Sequence, residues 1–249
     1  MHVTESDRTR YLRRLFLAAT LALLAPLAAP TGVPAASAAG GCPDVEVVFA
    51  RGTFEPPGVG GIGQSFIDQL RAQPQLAGKS VDVYAVNYPA SLNFPAAADG
   101  VIDASNRVRD MAGRCPETKI VLGGYSQGAA VAGYVTADKI PDGYVPPNGI
   151  NGPMPPEIAT HVAAVALFGK PSNGFLNSID RSAPPITVGA LYAPKTIDQC
   201  VPGDPICSPT GGDNGAHMAY ADNGMTAQAA GFAAQKVVTA APPTATQNP

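Results

Sequence analysis

The stretch Ile120-Val121-Leu122-Gly123-Gly124-Tyr125-Ser126-Gln127-Gly128-Ala129-Ala130-Val131 narrows the fold more than any other part of the 249-residue chain. An apolar, strand-like run passes through G-x-S-x-G into a helix-like run. A buried strand that turns at once into a helix is half of a parallel-sheet crossover. Glycines on either side of Ser126 let the backbone turn tightly, which pushes the serine hydroxyl outward. The chain then enters a helix N-terminus, whose free N–H groups and partial positive charge favour a developing negative oxygen. The residues therefore read as a nucleophile on a strand-to-helix turn. The competing reading is a small-residue turn around a buried serine.

The remaining chain repeats the same alternation. Residues 45–50, 81–86, 119–123, 162–168 and 186–192 read as short buried strands. Residues 65–70, 99–114, 127–139 and 225–239 carry helical spacing of apolar positions. The proline-rich stretch 140–156 is expected to be loop. Nearly all-apolar strands alternating with helices imply a mostly parallel sheet covered on both faces. In such sheets functional groups gather at the carboxyl ends of the strands. Ser126, Thr53 and Tyr88 fall at that edge.

The first residues stand outside this pattern. Arg8, Arg10, Arg13 and Arg14 precede an apolar run from Leu15 to Ala29, and Ala36-Ser37-Ala38 offers a small-residue cleavage site. The order charged, apolar, small reads as an export signal over residues 1–38. Arg13-Arg14-Leu15-Phe16-Leu17 also resembles a twin-arginine signal. Pro26 and Pro30 break the apolar run, which argues against a permanent membrane span. Residues 39–240 form one domain in this reading, and 241–249 a disordered tail. The net charge of −3, with few charged residues, argues against a nucleic-acid partner.

Cys42, Cys115, Cys200 and Cys207 all follow the export signal. An even number in an exported chain reads as two disulfides. Three pairings are available. The short Cys200–Cys207 interval, with Pro202, Gly203 and Pro205 inside it, favours that bridge and leaves Cys42–Cys115. A metal site is the other reading, and the chain has neither C-x-x-C nor histidines at ligand spacing.

A serine hydroxyl needs a base to act at neutral pH. The chain holds three histidines: His2 in the export signal, His161 at the head of an apolar strand, and His217 in a glycine-rich loop before the last helix. His161 reads as structural and His217 as the base. A carboxylate should hold the imidazole tautomer and steady the imidazolium. Asp198, Asp204, Asp213 and Asp222 are candidates. Asp204 is favoured, because a loop closed by Cys200–Cys207 and stiffened by prolines would fix its position. Oxyanion donors are expected from the backbone N–H of Gln127 and from Thr53, after the first strand. Arg51 reads as an ion-paired structural residue.

Cys42-Pro43-Asp44, Phe49-Ala50-Arg51-Gly52-Thr53, Gly124-Tyr125-Ser126-Gln127-Gly128, Cys200…Asp204…Cys207 and His217, taken in order, resemble the cutinases, and in particular the bacterial cutinase-like secreted serine esterases. The resemblance implies a three-layer α/β-hydrolase-type sandwich with a central five-stranded, mostly parallel sheet. It implies a Ser126–Asp204–His217 triad, an oxyanion hole of Thr53 and Gln127, and disulfides Cys42–Cys115 and Cys200–Cys207. It implies an acyl groove flanked by the loop from Tyr88 to Phe94, with Leu92 and Phe94 as apolar contacts, and by the loop from Pro209 to Ala216. Stretch 140–156 is longer than in fungal members, so their substrate range does not transfer. The expected activity is hydrolysis of carboxylic esters through an acyl-enzyme, by a monomer needing no cofactor or metal, on an ester or lipid substrate. Alternatives are a lipase, phospholipase or thioesterase of the same fold, or an exported surface protein without activity.

Overall fold

The computed structural model describes residues 41–241. The expected export signal over residues 1–38 lies outside the described residues, as does all but the first residue of the expected tail. The strands are β1 (Val45–Ala50), β2 (Val81–Ala85), β3 (Lys119–Tyr125), β4 (Val162–Phe168) and β5 (Thr196–Gln199). The α-helices are α1 (Gly60–Arg71), α2 (Ala97–Arg114), α3 (Gln127–Val135), α4 (Pro156–Ala159), α5 (Asn173–Ile179), α6 (Asn214–Met218) and α7 (Met225–Thr239). The sheet order is β2-β1-β3-β4-β5, with every pair parallel.

Position in the sheet explains the strand sequences. β1 and β4 have neighbours on both sides and helices on both faces, and each is buried along its whole length. β2 lies at an edge and is only partly covered. Two apolar clusters fill the faces. One joins Val48, Leu122, Val165 and Leu167 to α2 and α3 through Val108, Met111 and Val131. The other joins Phe49, Val121 and Phe168 to α1 and α7 through Phe66, Leu70, Ala229 and Ala233. Parallel strands need such cover, since neither face can meet water. A disulfide between Cys42 and Cys115 bridges a separation of 73 residues. Closing a loop of that size stabilises the fold by about 4 kcal/mol in the chain-entropy picture.

The fifth strand corrects the sequence reading. Residues 186–192 are not a strand, and β5 is Thr196–Gln199, paired through Val165–Thr196 to Phe168–Gln199. The apolar run turns to the end of α3 instead: Gly189 donates its N–H to the Thr136 carbonyl and Ala190 donates to the Asp138 carboxylate. β5 is a polar edge strand, so it lacks the continuous apolar signal of a central one. Helix α3 also stops four residues earlier than expected. Thr136 caps its end, donating its hydroxyl to the Gly133 carbonyl at 2.6 Å. Helices α1 and α2 begin earlier than their apolar spacing suggested.

Candidate active site

Strand β3 runs directly into Ser126, which has φ 55° and ψ −116°. Among the described residues, Phe54, Ala90 and Ser126 are the non-glycine residues at positive φ. All three belong to loops that leave the carboxyl edge of the sheet or extend from it. Strained backbone gathered at one edge is characteristic of a functional site. The motif glycines are there for close approach. A Cβ on Gly124 would lie 2.0 Å from the Gly128 carbonyl oxygen, and one on Gly128 would lie 2.0 Å from that of Ala50.

His217 lies in α6, a short helix where the sequence suggested a loop. Its Nε2 is 2.9 Å from Ser126 Oγ, and its Nδ1 is 2.8 Å from Asp204 Oδ2. Three distant segments thus meet in one hydrogen-bonded line. An ionised carboxylate can only accept, so Nδ1 carries the imidazole proton and Nε2 is left to accept from the serine hydroxyl.

Asp204 is fully buried. Its Oδ1 accepts the Ile206 N–H at 2.8 Å, and its Oδ2 also accepts the Tyr220 hydroxyl at 2.6 Å. A buried carboxylate needs such donors, because water cannot supply them. The Cys200–Cys207 bridge closes the loop that carries it. The other candidate carboxylates are occupied elsewhere or exposed. Asp198 pairs with Lys170 at 3.3 Å, Asp213 caps α6 by accepting the Gly215 N–H, and Asp222 lies exposed beyond α6.

Two tyrosines that sequence reasoning missed complete the site. Tyr220 is buried, and desolvation together with the Asp204 hydrogen bond pushes its pKa well above the ordinary phenol value. It therefore stays a donor across the neutral range. Tyr125 stacks on the His217 ring, with centroids 5.0 Å apart, and donates its hydroxyl to the His217 carbonyl at 2.7 Å. Burial raises its pKa as well. One tyrosine fixes the carboxylate and the other fixes the imidazole.

Gln127 begins α3, where the backbone N–H groups have no partner within the helix. Its side-chain amide donates to the Ser91 carbonyl at 2.9 Å, tying the 88–94 loop to the Ser126 turn. Thr53 is half-buried, and neither its N–H nor its hydroxyl donates to another described residue. Arg51 anchors that loop, but not as an ion pair. Its guanidinium donates to the carbonyls of Glu55, Val86 and Tyr88. No carboxylate of the described residues lies within 4.0 Å of it. The sequence placed Tyr88 in a groove, and the structure instead buries it. Its ring packs in the core under the Arg51 guanidinium and its hydroxyl donates to the Arg51 carbonyl. Leu92 is exposed, and Phe94 is half-buried at the start of a short helical turn before α2. Exposed Phe54, Leu92 and Met218 directly follow Thr53, Ser91 and His217 in the chain. His161, read as structural, is buried at the opposite end of β4, where desolvation lowers its pKa.

Residues 41–237 match the Cutinase family model. The chain is 55% identical over 174 residues to “Probable carboxylesterase Culp5” of Mycobacterium tuberculosis, covering 70% of this chain and 96% of that one. It is 47% identical over 223 residues to Carboxylesterase Culp1 of the same species, covering 89% and 92%. Among solved structures it resembles a Trichoderma reesei cutinase in complex with a C11Y4 phosphonate inhibitor, at 32% identity and a TM-score of 0.57, covering 79% of this chain and 77% of that one.

Proposed function

This chain belongs to the cutinase family and is a carboxylic-ester hydrolase, and on that premise we propose that Ser126, His217 and Asp204 carry out the hydrolysis through an acyl-enzyme. The observation that carries this reading is the unbroken line from Ser126 Oγ through the His217 ring to Asp204. Ser126 Oγ attacks the ester carbonyl while its proton passes to His217 Nε2. Asp204 steadies the imidazolium. The new oxyanion accepts from the Gln127 N–H and from Thr53. Collapse of the tetrahedral intermediate expels the alcohol, which takes the proton from His217. Water then repeats the sequence on the acyl-serine and releases the acid, returning the proton to Ser126.

The substrate is an ester with an apolar acyl group, in keeping with the exposed Phe54, Leu92 and Met218 next in the chain to Thr53, Ser91 and His217. The protein acts outside the cytoplasm as a monomer. Its two disulfides suit an oxidising compartment, and one chain supplies every group of the site. Among the described residues no helix is long and apolar enough to cross a membrane.

A shared acyl-enzyme has a kinetic signature. With methanol added as a competing acceptor, p-nitrophenyl butyrate and phenyl butyrate should give the same ratio of methyl ester to free acid. A ratio that depends on the leaving group would exclude a common intermediate. Removing the Thr53 hydroxyl while keeping its N–H (Thr53→Val) should lower kcat by about 10- to 100-fold, short of the loss from removing a whole oxyanion donor. Thr53→Ser should restore most of it. Unchanged turnover in Thr53→Val would take the hydroxyl out of the oxyanion hole.

Tyr220→Phe leaves the Asp204 carboxylate buried with one donor fewer. The expected cost is about 2 kcal/mol of stability, read by chemical denaturation. The expected kcat loss is about tenfold with KM unchanged, because Tyr220 acts by positioning the carboxylate. A change in KM alone would place it on the substrate-binding side.

A further inference from the structure

A cavity of about 510 Å³ lies between the start of α2, the end of α3, stretch 140–153 and residues 180–187. It stands apart from the line of Ser126, His217 and Asp204. None of those three lines it, and neither do residues 127–133 of α3, which are buried. An occupant of this cavity is therefore not the acyl group at Ser126. The cavity falls in the size range of small-ligand sites, about 300–1,000 Å³.

Three kinds of surface meet in its wall. Ile140, Ile150 and a series of prolines are apolar. Phe94, Tyr134 and Tyr144 are aromatic. The Tyr134 hydroxyl donates to the Pro184 carbonyl at 2.5 Å, so its proton is committed and its ring is left for an occupant. The charged groups are Asp138, Lys139 and Asp180.

The charge balance is negative. Lys139 is exposed and lies 3.9 Å from Asp142, outside the wall, while two carboxylates belong to the wall itself. Asp138 Oδ2 accepts the Ala190 N–H. Asp180 Oδ1 accepts both the hydroxyl and the N–H of Ser182, and these donors lower the Asp180 pKa, which keeps it ionised at neutral pH. Asp180 Oδ2 accepts from no described residue, so that oxygen is available. The Asp180 charge reaches both phenols. Burial first and then Asp180 raises the pKa of Tyr144; burial, Tyr144 and Asp180 raise that of Tyr134. One carboxylate and two aromatic rings thus act on the same volume.

Such a wall selects by charge and by size. An anion would meet two carboxylates. A metal ion needs several close oxygen ligands, and the described residues hold no cluster of three or more acidic, histidine or cysteine side chains suited to one. A compact ammonium is strongly hydrated and gains little from apolar walls. A bulkier organic cation uses every part: its charge lies over aromatic rings and near a carboxylate, and its body meets the prolines. The outer wall is also pre-set. Stretch 140–156 contains six prolines. An occupant orders little chain there, so little of its binding energy is lost.

We propose that this cavity is a second binding site, separate from the hydrolytic one, for a small organic cation of the quaternary-ammonium type with an apolar body. The cation packs against Tyr134 and Tyr144 with Asp180 as its counter-ion. The inference does not depend on the esterase reading.

The test is calorimetric titration of the protein with two probes of one shape, p-hydroxyphenyltrimethylammonium and p-tert-butylphenol, which differ by a single positive charge. The cation should bind at least about threefold more tightly than the neutral phenol. Asp180→Asn keeps an acceptor for Ser182 and removes only the charge. It should weaken the cation about three- to fivefold and leave the neutral phenol within about twofold. Tyr144→Leu should weaken the cation by about two- to fivefold. Labelling Ser126 with a fluorophosphonate should leave the cation's affinity unchanged. Equal or tighter binding of the neutral phenol overturns the proposal, as does the absence of saturable cation binding. Cation binding that either substitution leaves unchanged overturns it too, and if Tyr144→Leu fails to fold, Asp180→Asn decides alone. Loss of binding on Ser126-labelled protein would place the cation at the hydrolytic site and equally overturn it.

Discussion

Ser126→Ala should reduce p-nitrophenyl butyrate hydrolysis by about 10⁵–10⁶-fold in kcat, to the level set by binding and the oxyanion donors alone. The size of the effect follows from the role of the group. In the proposed mechanism Oγ is the atom that becomes bonded to the substrate, and the 2.9 Å contact with His217 Nε2 gives its proton somewhere to go. Without Oγ the imidazole has only water to activate, from a position arranged for a side chain. The fold should survive the change. Ser126 sits at positive φ with its N–H donated to the Phe168 carbonyl, and alanine keeps that bond. Loss of turnover with an unchanged melting temperature is therefore the expected pair of results. Retained turnover would put the nucleophile elsewhere.

Asp204→Asn is the second large effect, expected at about 10⁴-fold in kcat/KM. The substitution is nearly isosteric, so the cause is electronic. Asn can keep its carbonyl on the Ile206 N–H, which turns its NH₂ toward His217 Nδ1 and the Tyr220 hydroxyl. Nδ1 must then accept, and the imidazole proton moves to Nε2. That nitrogen can no longer take the proton of Ser126. The stacked Tyr125 ring and its bond to the His217 carbonyl hold the imidazole where it is, so rotation of the ring cannot relieve the mismatch. Steady-state kinetics on folded variant protein measures this. A loss smaller than about tenfold would mean that Asp204 does not set the tautomer.

The parts of the proposed site that are legible in sequence are those with few competitors. Ser126 stood in a motif between a strand and a helix, and His217 was one of three histidines. Asp204 was harder to find, with four carboxylates available. What separated it was the loop closed by Cys200 and Cys207, whose rigidity has a chemical use. Tyr125 and Tyr220 went unread because a tyrosine carries no motif of its own. A signal was nonetheless present. Tyr125 directly precedes the nucleophile, and Tyr220 follows His217 by three residues, the spacing that puts two side chains on the same side of a helical turn. Tyr88 and Arg51 were placed in the right loops but given the wrong surroundings, since a loop's sequence does not say which side chains turn inward.

The sheet was readable where burial was complete. β1 and β4 have the expected ends, because a strand covered on both faces is nearly all apolar, the exception in β1 being Glu46, which is buried against Arg107 of α2. β5 was missed because Thr196-Ile197-Asp198-Gln199 mixes polar and apolar residues at an edge, while the apolar run ahead of it serves the packing around α3. The prolines of stretch 140–156 mark it as loop, and it stays so up to α4, which begins at Pro156. Its part in walling a cavity depends on residues 180–187 and on the starts and ends of two helices, which no local pattern connects.

The most direct measurement of the proposed chemistry is the site and stoichiometry of labelling by a fluorophosphonate, mapped by mass spectrometry alongside residual ester turnover. The expected result is one phosphonyl group per chain, on Ser126, with turnover falling in proportion to labelling. Labelling of another residue, or full occupancy of Ser126 with turnover intact, would contradict a nucleophilic Ser126 activated by His217 and Asp204.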